Sequence, residues 1–256
     1  MSRVAAVAWF SFRELVRSKL LVVWLLAVGL LCGVAYLLAY LSYGEPLRIF
    51  MDLGLAGLEA AGLVVLLLEL AVTYNTDMEQ KAVFLQLTKP LTRGEYLLGR
   101  VVGFWMVNCL VLLGMTLFIG GFIAFHHGQY PLFWVAAALV MIQMFLLTTL
   151  GLAYQMIATS MVGTVLFTFF TSILGHTMSQ IRWALERKPD PILRFLLNGT
   201  YYLLPNLEVF NLKDRLYDPT LTTAALPWGD IALYAFGYSF AAFLVGWWAL
   251  EKREFH

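Results

Sequence analysis

Two carboxylates stand where a carboxylate is costly: Glu59 and Glu69 are the only charged residues in the apolar stretch from Leu53 to Thr73. An ionisable group in hydrocarbon faces a cavity, pairs with another helix or carries protons. The ten residue steps from one to the other, at 100° each, put them about 80° apart around a helix, so they do not form one tight carboxylate pair. A proton relay, an internal cavity and an interhelical partner all remain open for Glu59, while Glu69, nearer the end of the run, is also within reach of the membrane interface. A second polar pattern follows at helical spacing: Ser160, Thr164, Thr168, Thr171, Ser172, Gly175 and Ser179. That face suits a water-accessible pathway or a subunit interface, although hydroxyls bonding back to their own helix would leave the same pattern.

The remaining candidates for chemistry are sparse. The four histidines (His126, His127, His176, His256) and the two cysteines (Cys32, Cys109) show no metal-ligand spacing. The adjacent His126 and His127 are expected to be solvated on an outer turn. Nucleophile-elbow, His-Glu-x-x-His and phosphate-cradling glycine motifs are absent from the sequence, so neither an enzyme nor an ATPase is expected on this chain, and no cofactor.

These residues must be positioned by membrane helices. The chain is 61% hydrophobic and 13% charged with a mean hydropathy of +0.78, against about 45–50% apolar and about 25% charged for soluble domains. A net charge of +1 gives no reason to expect nucleic acid as a partner. Six runs reach the length of about 20 residues that a span needs: Leu20 to Ser42, Leu53 to Thr73, Tyr96 to Phe125, Pro131 to Ile157, Met161 to Ile181 and Asp230 to Leu250. The expected fold is an all-α membrane protein, one transmembrane domain over residues 1–256. Cytoplasmic termini put 10 of the 17 Lys and Arg residues inside; the short loops follow the positive-inside bias, and the long segment between spans five and six, with six Lys and Arg, runs against it.

Residues 1–19 place Val4, Ala8, Phe12 and Leu15 on one helical face with Arg3, Arg13 and Arg17 elsewhere, the pattern of an amphipathic helix along the inner membrane surface. Gly54, Gly57 and Gly62 would let another helix come close to span two. Residues 182–228 are too long for a turn and too apolar for a linker, and their prolines cut them into short helices expected on the outer face.

The segment from Thr76 to Glu95 is the most informative. Thr76 with Glu79 and Thr92 with Glu95 each fit a capping box, and Pro90 disfavours helix at Lys89. The expected arrangement within residues 76–90 is a short cytoplasmic helix from Asp77 to Leu87, then a break, then a helix running into span three. Met78, Ala82 and Leu85 share one face of that short helix, and an apolar face there wants a protein partner or lipid.

With these features together, the chain resembles the six-span permeases of the ABC transporter superfamily, type-two exporter class. The resemblance rests on Phe12-Arg13-Glu14-Leu15-Val16-Arg17-Ser18-Lys19, similar to that family's amphipathic connecting helix. It rests more specifically on Leu85-Gln86-Leu87-Thr88-Lys89-Pro90-Leu91-Thr92-Arg93-Gly94-Glu95-Tyr96-Leu97-Leu98-Gly99-Arg100, similar to its loop before span three. Arg100 stands where the family commonly has lysine, and Gln80-Lys81-Ala82 replaces a glycine-threonine turn. The resemblance implies a coupling helix (Asp77, Met78, Glu79, Ala82, Leu85, with Arg93 after it) docking on a separate ATP-binding cassette subunit, which would hold ATP and Mg. It also implies a homodimer joined through spans two and five, with Glu59, Thr164, Thr168, Thr171, Ser172 and Gly175 at the pathway or dimer interface. The expected function is thus the permease subunit of an ATP-driven exporter in the inner (cytoplasmic) membrane. The alternative is a stand-alone ion-coupled transporter or channel using Glu59 and Glu69.

Overall fold

The computed structural model describes residues 3–17, 29, 33–34, 36–38, 40–41, 46–74, 92–126, 130–158, 160–187, 190–213, 216–217 and 226–252. The expected first span lies mostly outside the described residues. The expected coupling helix, with Asp77, Met78, Glu79, Ala82 and Leu85, lies wholly outside them, as do the Thr76–Glu79 capping box and His127.

Every element among the described residues is helical. In chain order these are α1 (Arg3–Arg17), α2 (Pro46–Tyr74), α3 (Arg93–Phe125), α4 (Pro131–Ile157), α5 (Met161–Gly175), α6 (Met178–Glu186), α7 (Pro191–Leu203), a 3-10 turn (Leu207–Phe210) and α8 (Trp228–Lys252). Helices α2, α3, α4 and α8 are each long and apolar enough to cross a membrane, and α5 with α6 forms a fifth such element, bent by 61°. This set fits a multi-pass membrane protein.

The surface has the same character. Only 28% of the apolar window of α8 is buried inside the chain, and Leu233, Phe236, Phe240, Trp247 and Trp248 project outward. In water, apolar surface left exposed forgoes about 25 cal/mol per Å². Against lipid tails that term vanishes, and helices associate instead through close packing and polar contacts. Helix α4 is the most enclosed, with 72% of its window buried, because it touches α2, α3, α5, α8 and the 3-10 turn.

Local chemistry sets the helix ends. The expected Thr92–Glu95 capping box opens α3: Glu95 N–H donates to Thr92 Oγ1 at 3.2 Å, and Thr92 N–H donates to Glu95 Oε2 at 2.9 Å. Proline occupies the first position of α4, where its missing N–H costs nothing.

Helix α1 forms, but its buried edge is Val7, Ala8, Ser11 and Leu15, with Val4 and Phe12 only half-buried. That edge packs on α3 across Gly99 and Gly103. A Cβ at Gly99 would stand 2.6 Å from Val7 Cβ, and one at Gly103 would stand 2.7 Å from Ser11 Cβ and 2.9 Å from the Ala8 carbonyl oxygen. The partner of the inner face of α1 is therefore protein, while Trp9 and Phe10 are exposed away from it.

The fifth span differs from the expected continuous helix over Met161 to Ile181. It breaks after Gly175, at the point where residues 204–213 fold back against it. A Cβ at Gly175 would meet Leu207 Cγ at 2.6 Å and the Pro205 carbonyl oxygen at 2.9 Å. Glu208 then caps the new helix from outside its own sequence, its carboxylate accepting from Ser179 N–H at 2.9 Å and from Ser179 Oγ at 2.7 Å. An acidic group at a helix N-terminus satisfies orphan donors and opposes the dipole. The segment after α7 consequently does not lie flat on the outer face. Leu207 and Phe210 are almost fully buried, while α7 keeps the expected exposed character, with Ile192, Phe195 and Tyr202 outward.

Candidate functional site

Glu59 finds its partners from two distant parts of the chain. Its Oε1 lies 2.8 Å from His176 Nε2 at the break between α5 and α6, and its Oε2 accepts from the ammonium of Lys213, just past the 3-10 turn. His176 Nδ1 lies 2.7 Å from the Ser172 carbonyl oxygen, and the amide nitrogen of Gln143 on α4 lies 3.0 Å from His176 Nε2. The surroundings are otherwise apolar: a small cavity beside the carboxylate is lined by Leu55, Ala136, Val140, Phe210 and Leu212, with Asn211 and Lys213. A carboxylate at this depth persists through charge partners and hydrogen bonds, and Glu59 has both. Of the openings left by the sequence, the geometry supplies partners from other elements and a small cavity beside them.

Glu69 behaves differently. It does not reach the interface: it is 3% exposed, and Asn108 Nδ2 on α3 donates to its Oε2 at 3.0 Å. Its other oxygen is buried without a hydrogen-bond partner.

The hydroxyl stripe turns into the chain's own bundle. Thr164, Thr168, Thr171, Ser172 and Gly175 are the buried residues of α5, and α5 packs on α2 and α4. Thr164 Oγ1 donates to the Ser160 carbonyl at 3.2 Å and Thr168 Oγ1 to the Thr164 carbonyl at 2.9 Å, while Thr171 Oγ1 pairs with Tyr154 Oη at 3.0 Å. These hydroxyls therefore satisfy their own helix and a neighbour. The outward surface of α5 is a different one, made of Val162, Leu166, Phe167, Phe170 and Ile173. The three glycines of α2 are likewise used inside the chain: a Cβ at Gly54, Gly57 or Gly62 would meet Ile119, Met115 or Met144 at 3.1, 3.2 or 3.0 Å.

Arg93 lies at the other end of the bundle, about 30 Å along α3 from the level of Glu59. Its Nη1 donates to the carbonyls of Leu250 at 2.7 Å and Glu251 at 2.5 Å, capping the last turn of α8. One turn or two further along, buried Arg100 donates to Tyr96 Oη at 3.1 Å and pairs with Glu14 of α1 at 3.6 Å. Together Arg93 and Arg100 knit α1, the start of α3 and the end of α8 into one end of the molecule.

At the opposite end, Tyr217 Oη lies 2.9 Å from Asp52 Oδ1 and 3.0 Å from the Arg48 carbonyl oxygen, with the Arg48 guanidinium 4.3 Å above its ring. Burial and then the bond to Asp52 push the Tyr217 hydroxyl well above the usual phenol range.

His176 and Lys213 are the functional candidates that spacing misses. They stand 117 and 154 residues from Glu59, so no local pattern joins them. The one available signal is that His176 follows Gly175 within a long apolar run. Among the described residues, no group of three or more His, Cys, Asp or Glu side chains is placed to hold a metal. No protein-family model and no curated protein matches the chain.

Proposed function

We propose that this chain is the permease subunit of an ATP-driven ABC transporter of the type-two exporter class. In this reading two copies assemble with two separate ATP-binding subunits in the inner membrane, with both termini in the cytoplasm. The observation that carries the reading is the segment from Leu85 to Arg100, whose proline break, Thr92–Glu95 capping box and following arginine resemble the family's loop before span three. The fold supports a mechanical role for that end of the molecule. Residues 75–91 join α2 to α3 where Arg93 holds the end of α8 and Arg100 holds α1. A push on this end is thereby shared among three helices. A ligand shifts a conformational equilibrium only through different affinity for its states. ATP on the partner subunit would act on the permease through the apolar face of Met78, Ala82 and Leu85.

The test is ATPase activity of the chain co-purified with the ATP-binding protein encoded beside it, comparing wild type with Leu85→Asp. The expected result is that the wild-type complex assembles and hydrolyses ATP, while Leu85→Asp loses assembly or coupling and remains folded. Transport that follows a proton gradient with no associated ATPase would replace this reading with the ion-coupled alternative.

A further inference from the structure

Both ring nitrogens of His176 face oxygen acceptors, and that geometry fixes a proton. Nδ1 lies 2.7 Å from the Ser172 carbonyl oxygen, which only accepts, so Nδ1 carries a hydrogen. Nε2 lies 2.8 Å from Glu59 Oε1. A neutral ring with its hydrogen on Nδ1 would point a lone pair at a carboxylate lone pair, which is repulsive at that distance. A proton must therefore occupy the Nε2 to Oε1 line. The Lys213 ammonium on Oε2 favours the ionised carboxylate, so the proton belongs to the ring. Gln143 of α4 places its amide nitrogen 3.0 Å from Nε2 and leaves its amide oxygen buried without a partner; the half-turn that exchanges the two amide ends brings that oxygen to the imidazolium as an acceptor. The acidic group of the fold-back segment, Glu208, is engaged by Ser179.

We propose that Glu59 and His176 form a proton-binding site inside the membrane domain, and that the bound proton, together with Lys213, latches two elements onto α2. One is the bend at His176, and the other is the fold-back segment 204–213. Loss of the proton leaves Glu59 Oε1 facing the Nε2 lone pair and releases the bend from α2, with Lys213 as the remaining tie. The step is a simple acid dissociation, imidazolium to imidazole plus a proton. The inference concerns the chain's own side chains and does not rest on the permease reading.

The test is nitrogen NMR of the full chain, labelled with [15N]histidine and held in a lipid bilayer, with His176 assigned by its loss in His176→Gln. At about pH 7.5 an unperturbed histidine is only about one-tenth protonated. The expected result is that both His176 nitrogens are protonated there, and that Glu59→Gln returns the ring to one bare nitrogen. A bare Nε2 in the wild type at that pH overturns the site. The latch is read separately from a cysteine at Leu212, which is 6% exposed, with Cys32 and Cys109 replaced by alanine. Its maleimide labelling in Glu59→Ala and in Lys213→Met is expected to be about tenfold faster than in the parent. Equal labelling in variants that still elute as folded protein overturns the latch.

Discussion

At the residue scale, the two membrane carboxylates have opposite surroundings and should respond differently to substitution. Glu59 is held by the Lys213 ammonium and by the His176 ring, and its removal strands both of them. Glu69 has one amide, Asn108, and no cation among its hydrogen-bond partners. Replacing Glu69 by glutamine keeps the shape and a hydrogen bond, so thermal stability in detergent should change little. Glu69→Leu leaves Asn108 buried without a partner and should cost about 1–3 kcal/mol. The double substitution Glu69→Leu with Asn108→Leu should recover most of that loss, because removing both partners of a buried pair is nearly neutral. A double variant no more stable than Glu69→Leu would show that the pair is not what holds α2 to α3 there. The carboxylates themselves were legible in the sequence, because a charge in an apolar run stands out. Their partners were not, because a side chain reaching over from another helix leaves no trace in local spacing.

At the element scale, the contacts that hold helices together are close approaches over small residues. Gly103→Leu should expel α1 from α3, because even a Cβ there would stand 2.9 Å from the backbone oxygen of Ala8. Gly114→Leu on the same helix meets open space and should be tolerated. Limited trypsin digestion in detergent measures the contrast: cleavage at Arg13 and Arg17 should be fast in Gly103→Leu and slow in wild type and Gly114→Leu. Arg93→Ala removes the cap of α8 and should lower stability by about 1 kcal/mol, while also loosening the link between α3 and the end of α8. Proteolysis at Lys252 checks this, since a frayed last turn cuts faster. The amphipathic character of α1 was readable from its period. Its true buried edge was not, since α3 offers a glycine groove that selects Val7, Ala8 and Ser11.

At the scale of the whole molecule, the bundle has two unlike ends. One joins α1, the start of α3 and the end of α8. The other gathers the bent span, α7, the fold-back segment and the Arg48–Tyr217–Asp52 contact. The proposed orientation puts the first end in the cytoplasm. In intact cells, an impermeant thiol reagent should therefore label a cysteine at Gly199 and leave one at Gly94 untouched until the membrane is opened. The reverse pattern would invert the topology and remove the expected docking surface from the cytoplasm. The homodimer reading makes its own demand. Since the glycines of α2 and the hydroxyls of α5 are used within the chain, a second copy would meet the outward faces instead. A cysteine at the exposed Ala60 of α2 is then expected to give a crosslinked dimer in membranes, and one at Gly237 of α8 is not.

What the sequence determined by itself is the all-helical, apolar character of this protein and the existence of the long apolar helices α2, α3, α4 and α8. Hydropathy and helical period are sums over neighbouring residues, so they survive without tertiary structure. The Thr92–Glu95 capping box was equally readable, because both its partners lie within one turn. Only the tertiary structure decided which faces are used. It turned the hydroxyl stripe of α5 inward, broke the fifth span at His176, and brought Lys213 from the expected outer face into the bundle to meet Glu59. The physical reason is that a buried charge is stabilised by whatever opposite charge the fold can deliver to it, from any distance along the chain.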